Sequence, residues 1–109
     1  MQVIEIVTFK TKPGISQEDF LAIDTVALKD VEKLDGFLYR SLAFNKESAT
    51  WTDIIYWESA EAAKLGEAEF MKSEACQEVM AAVEKESTVM QLSDILYSSC
   101  NETEAENCG

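Results

Sequence analysis

Four short segments of this chain, 3–9, 37–44, 51–57 and 88–97, are rich in β-branched and aromatic residues and read as strands. The first is apolar on both of its faces, with Ile4 and Ile6 on one side and Val3, Val7 and Phe9 on the other. A strand of this kind must be covered twice, and that requirement limits the possible folds more than any other feature of the chain. Helical patterns fall between the strands. Ser16 reads as an N-cap, with Glu18 and Asp19 in the first turn where the helix dipole favours them. Phe20, Ile23, Ala27, Val31 and Leu34 follow at helical spacing, so a helix is expected over 17–34, stopped by Asp35-Gly36. Ser59 caps a second helical region whose apolar stripe changes phase. Ala63, Gly66 and Phe70 form one part, and Cys76, Val79, Met80 and Val83 the other, with Ser73 as an internal N-cap.

The order is β-α-β-β-α-β, which folds into a ferredoxin-like α+β domain: a four-stranded antiparallel sheet with its helices on one face. The other face stays uncovered although its side chains are apolar, so a homodimer joined through the sheets is expected. Residues 1–97 form the domain, and 98–109 read as a flexible, acidic tail carrying Cys100 and Cys108.

A net charge of -12 with no histidine argues against a phosphate backbone or an anionic membrane surface as partner. It favours a neutral, apolar or cationic ligand. No apolar run approaches the ~20 residues of a membrane span. The N-terminus alternates too early for a secretion signal and carries Glu5. Three scattered cysteines fit a reduced compartment, and a cytoplasmic protein is expected. There is no phosphate-binding glycine loop, no Cys-x-x-Cys and no histidine triad, so neither a metal nor another cofactor is expected.

Three local matches resemble the dimeric α/β barrel superfamily, and within it the antibiotic-biosynthesis-monooxygenase-like group. Val7-Thr8-Phe9-Lys10-Thr11-Lys12-Pro13-Gly14 is similar to the group's first strand and its Lys-x-Lys-Pro-Gly turn. Leu34-Asp35-Gly36-Phe37-Leu38 resembles its entry to the second strand, with Asp35 replacing the usual proline. Trp57-Glu58-Ser59-Ala60-Glu61-Ala62 resembles its entry to the second helix. The resemblance implies ferredoxin-like protomers joined as a barrel about a two-fold axis, each with a ligand cleft between sheet and helices. Members include cofactor-free monooxygenases of aromatic polyketides, haem-degrading enzymes and decarboxylases. Many relatives carry histidines in and after the second helix. This chain has none, which removes the usual imidazole base and the commonest haem or metal ligand.

Charged residues inside apolar strands mark the candidate site. Counting roughly 100° per residue from Phe20, Asp24 falls at roughly 40°, within the face that packs on the sheet. A desolvated carboxylate there suits acid–base work on a phenolic or enolic substrate; alternatively it bonds a strand hydroxyl such as Thr8 or a tyrosine, or reaches solvent. Glu5, Arg40 and Asp53 are expected to form one ionic row across the sheet, with Arg40 between the two carboxylates, either fixing registry or anchoring a ligand. Tyr39, Trp51, Tyr56 and Trp57 form an aromatic group on adjacent strands, and with Thr8 they are candidates for the wall of a ring-sized pocket or for plain core. The expected function is homodimeric binding of a small apolar or aromatic molecule. If it is an enzyme, the resemblance implies a cofactor-independent monooxygenase-like or isomerase-like reaction, with Asp24 as base and Tyr39 and Trp57 positioning the ring. A non-catalytic dimeric binding or regulatory protein is the alternative.

Overall fold

A computed structural model describes residues 1–99. The expected tail with Cys100 and Cys108 lies, beyond Ser99, outside the described residues. The elements are β1 (Val3–Phe9), α1 (Gln17–Val31), β2 (Phe37–Asn45), β3 (Thr50–Trp57), α2 (Ala60–Phe70), α3 (Glu74–Ala82) and β4 (Val89–Asp94), with a 3-10 turn over Lys85–Ser87. The sheet is antiparallel in the order β2-β3-β1-β4, a ferredoxin-like α+β arrangement. No helix among the described residues is long and apolar enough to cross a membrane.

Local chemistry places the helix starts. Ser16 and Asp19 form a reciprocal capping box, each side chain accepting from the other's backbone N–H at 3.1 and 3.0 Å. Ser59 accepts from the Ala62 N–H, and Ser73 from the Cys76 N–H. The second helical region is therefore two helices, jointed at the expected serine. Helix α1 stops at Val31, three residues short of expectation. The N–H groups of Lys33 and Leu34 turn back to the carbonyls of Asp30 and Val31, three residues away, and Gly36 then takes a positive φ of 84°. Strand β4 also ends early, at Asp94, although the Ile95 N–H still donates to the Gln2 carbonyl.

Register sorts the sheet side chains into rows. On the face beneath the helices the rows run Phe37-Trp57-Val3, Arg40-Ile55-Glu5, Leu42-Asp53-Val7 and Phe44-Trp51-Phe9. The two outer rows are aromatic and apolar, and each builds a core cluster. Phe9, Phe20, Trp51, Ala82 and Val83 pack under α1 and α3. Val3, Ile55, Trp57 and Ala63 pack under α2. All three sheet charges lie in the two middle rows, between these clusters.

Phe37 and Arg40 are three residues apart, and in a regular strand they would point to opposite faces. A register shift between Phe37 and Tyr39 places both beneath the helices. Gly66 allows α2 to lie directly on Trp57: a Cβ there would meet the indole, with Cζ3 only 2.7 Å away. The opposite face carries Ile4, Tyr56 and Tyr39 in one row and Ile6 and Ile54 in the next, half-buried with no helix over them.

Candidate functional site

Asp24 sits on the buried face of α1, at the position the helical count selects, and it meets the sheet at Arg40. The Arg40 guanidinium is gripped from two sides. Its Nη1 and Nη2 donate to Oδ2 and Oδ1 of Asp24, both at 2.7 Å, and its Nε and Nη2 donate to Oδ1 and Oδ2 of Asp53 at 2.8 and 2.9 Å. The three side chains retain only 11%, 9% and 17% of their exposure, for Asp24, Arg40 and Asp53 respectively. Burial acts to lower the Arg40 pKa, but the hydrogen bonds it donates to Asp24 and Asp53, together with the negative charges of those two carboxylates, outweigh it and hold the guanidinium above its ordinary value. Burial pushes Asp53 up, against the pull of Arg40.

The expected ionic row is therefore assembled differently. Arg40 lies between two carboxylates, but the second belongs to Asp24 rather than to Glu5. Glu5 does share a row with Arg40, and buried Ile55 stands between them. Its Oε1 instead accepts from Trp57 Nε1 at 2.9 Å. Burial raises the Glu5 carboxyl; the Trp57 bond opposes that rise, and the charges of Glu67 and Asp53 add to it.

A cavity of about 340 Å³ opens beside the Asp24–Arg40–Asp53 cluster. Val7, Phe9 and Phe20 line it from β1 and α1, and Val79, Met80 and Val83 from α3 and its end. Asp24 and Asp53 supply its carboxylates, and Lys85 and Thr88 border it from the link into β4. That link is pinned to the end of β1. Lys12 N–H donates to the Ala82 carbonyl, Glu84 N–H to the Lys10 carbonyl, and Lys10 N–H to Ser87 Oγ at 2.8 Å.

The five residues expected to bind a ligand lie elsewhere. Trp51 is packed in the core against Phe20 and Phe44, with ring centroids 4.8 and 4.7 Å away. Trp57 is sealed beneath Gly66 and Ala63. Thr8, Tyr39 and Tyr56 face the other side of the sheet, the two tyrosines edge-on at 5.9 Å. None of the five borders this cavity.

The sequence reading missed Lys85 and Thr88, which lie in a linking turn with no motif. Val79, Met80 and Val83 belong to the apolar stripe of the second helical region, and a cavity wall shares its periodicity with a core stripe. Among the described residues no group of histidine, cysteine or acidic side chains is arranged to hold a metal ion. Cys76 is buried, and burial raises its thiol.

No protein-family model matches the chain, and no curated protein matches its sequence. Solved structures do match its fold. SnoaB, a cofactor-independent oxygenase from Streptomyces nogalater, superposes with a TM-score of 0.74 at 13% identity, covering 92% of this chain and 98% of SnoaB. The chain has the fold of the antibiotic-biosynthesis-monooxygenase-like proteins. A Bordetella bronchiseptica protein provisionally described as an antibiotic biosynthesis monooxygenase gives 0.70 at 20% identity, over 88% of this chain and 98% of its own. Rv0793 from Mycobacterium tuberculosis gives 0.66 at 14% identity, over 92% and 100%.

Removing the cation from the cluster would leave two buried carboxylates facing each other. Arg40→Met is expected to lower stability by about 3–5 kcal/mol, read as a fall in the urea midpoint at neutral pH.

Glu5 offers a pH test. Its folded-state pKa lies above its unfolded value, so the folded chain holds the proton more tightly. Its contribution to stability is therefore full below the unfolded value and is lost as pH rises through the folded one. Glu5→Gln keeps an acceptor for Trp57 and removes the titration. Urea midpoints measured between about pH 4 and 8 should decline less with rising pH in the variant than in the parent; equal slopes would refute this assignment.

Proposed function

We propose that the chain is a homodimeric protein whose cleft binds a small apolar or aromatic molecule, and that its chemistry is cofactor-independent and monooxygenase-like. The observation that carries the reading is the cavity itself. It is ring-sized, walled by Phe9, Phe20, Val7, Val79, Met80 and Val83, and lined also by Asp24 and Asp53. The fold shared with a cofactor-independent oxygenase adds support by analogy. In this reading Asp24 accepts a proton from the phenol or enol of the bound molecule.

One observation favours a second reading, a non-catalytic binding or regulatory protein. Both oxygens of Asp24 already accept from Arg40, which suits a carboxylate that holds a charge in place more than one that collects a proton. A hydroxynaphthalene separates the two. Under the enzymatic reading it stabilises the protein in a thermal-shift assay and drives oxygen uptake, and Asp24→Asn lowers that uptake about 100-fold or more. Stabilisation without oxygen uptake leaves the binding reading, and neither effect rejects both.

The homodimer is supported by the uncovered sheet face, where Ile4, Ile6, Ile54 and Tyr56 lie together outside both core clusters. Sedimentation of the parent at micromolar concentration should show a dimer, and Ile6→Asp should dissociate it. A well-folded monomeric parent rejects the assembly.

A further inference from the structure

We infer that the ligand of this cleft carries a cationic amine on an apolar, ring-sized body, with its ammonium group seated against Asp24 and Asp53. The inference rests on the reading of the cavity as a small-molecule site and adds the chemical class of its occupant.

Charge imbalance is the first ground. Two carboxylates close on a single guanidinium, so the buried cluster keeps one negative charge without a partner. A buried carboxylate left in this state is costly unless a proton or a cation meets it.

Hydrogen-bond capacity is the second ground. Arg40 has five N–H donors, and four are already committed to Asp24 and Asp53. Each carboxylate oxygen, by contrast, accepts one N–H from Arg40 and retains a lone pair. Asp24 and Asp53 line the cavity and Arg40 does not, so the cluster contributes acceptors and negative charge to that lining. An ammonium group brings three donors and the missing positive charge. A hydroxyl brings one donor and no charge, and a carboxylate would be repelled.

Lys85 does not already fill this role. It is the one lysine or arginine among the described residues lining the cavity, it is exposed, and among the described residues it lies within 4.0 Å of no carboxylate. The remaining walls are apolar or aromatic, apart from Thr88, and suit the body of such a molecule. The net charge of -12 draws cations towards the protein as a whole, but that field is diffuse and falls with salt.

Three probes of one shape test the inference: 2-naphthylmethylamine, 2-naphthylmethanol and 2-naphthoate, each titrated into isotope-labelled protein at physiological salt. Amide shifts at Val7, Val79 and Met80 report both the location and the affinity. The amine is expected to bind at least about tenfold more tightly than the alcohol, and the naphthoate more weakly than either. In Asp53→Asn the amine and alcohol should fall within about twofold of each other. Glu32→Gln alters the net charge equally at an exposed helix end and should leave the ratio unchanged. Lys85→Gln, which removes the one lysine lining the cavity among the described residues, should widen it.

An alcohol that binds the unaltered protein as tightly as the amine overturns the inference and leaves the small-molecule site standing. So does an amine preference that survives Asp53→Asn, or one that Glu32→Gln abolishes. If no probe moves these amides, the small-molecule site fails and the inference with it. Should Asp53→Asn not fold, the ratio in the unaltered protein and its response to Lys85→Gln decide the matter.

Discussion

The Arg40 guanidinium, forked between Asp24 and Asp53, is the interaction on which the site depends. It joins α1 to β2 and β3 through four hydrogen bonds of 2.7 to 2.9 Å. Apolar contacts alone would tolerate sliding of the helix over the sheet, because dispersion and burial have little directional preference. Two bidentate carboxylate–arginine pairs do not, since each demands a planar, parallel approach. The helix is thereby placed at a defined height over the sheet, and the cavity bounded by Val7, Phe20 and Val79 keeps its shape.

The position of this cluster follows from the row structure of the sheet. Bulky aromatic rows at both ends, Trp57 with Phe37 and Trp51 with Phe44, meet the helices and carry the hydrophobic contacts. The two middle rows hold smaller aliphatic residues and the charges, and the cavity lies against them, bordered by Val7 and Asp53. Glu5 occupies the same band but lies towards α2, where Trp57 satisfies it, so it serves the core and not the cavity. Division of the acids follows: one bonds an indole inside the protein, and two hold an arginine beside open space.

Much of the architecture was legible from the chain alone. Ser16, Ser59 and Ser73 mark helix starts because a serine side chain at an N-cap satisfies backbone donors locally, within three residues. The phase change between Phe70 and Cys76 marks the joint between α2 and α3 because helical periodicity is also a local property. Helical counting likewise placed Asp24 on the buried face of α1. The identity of its partner could not be read, nor which aromatics would border a cavity. Trp51 and Trp57 satisfy every local criterion for a pocket wall, yet the packing of Phe20 and Gly66 on them makes them core.

What the sequence by itself determined is the order β-α-β-β-α-β, the capped helices, and the presence of charges that a buried strand would have to satisfy. These follow from periodicity, caps and turn residues, which act over a few positions. Tertiary structure alone decided which charges meet. A one-residue register shift beside Leu38 brings Phe37 and Arg40 to the same face, and the crossing of α1 sets Asp24 over Arg40. Salt-bridge partners 13 and 16 residues apart are chosen by how strands and helices stack, and no local pattern encodes that choice.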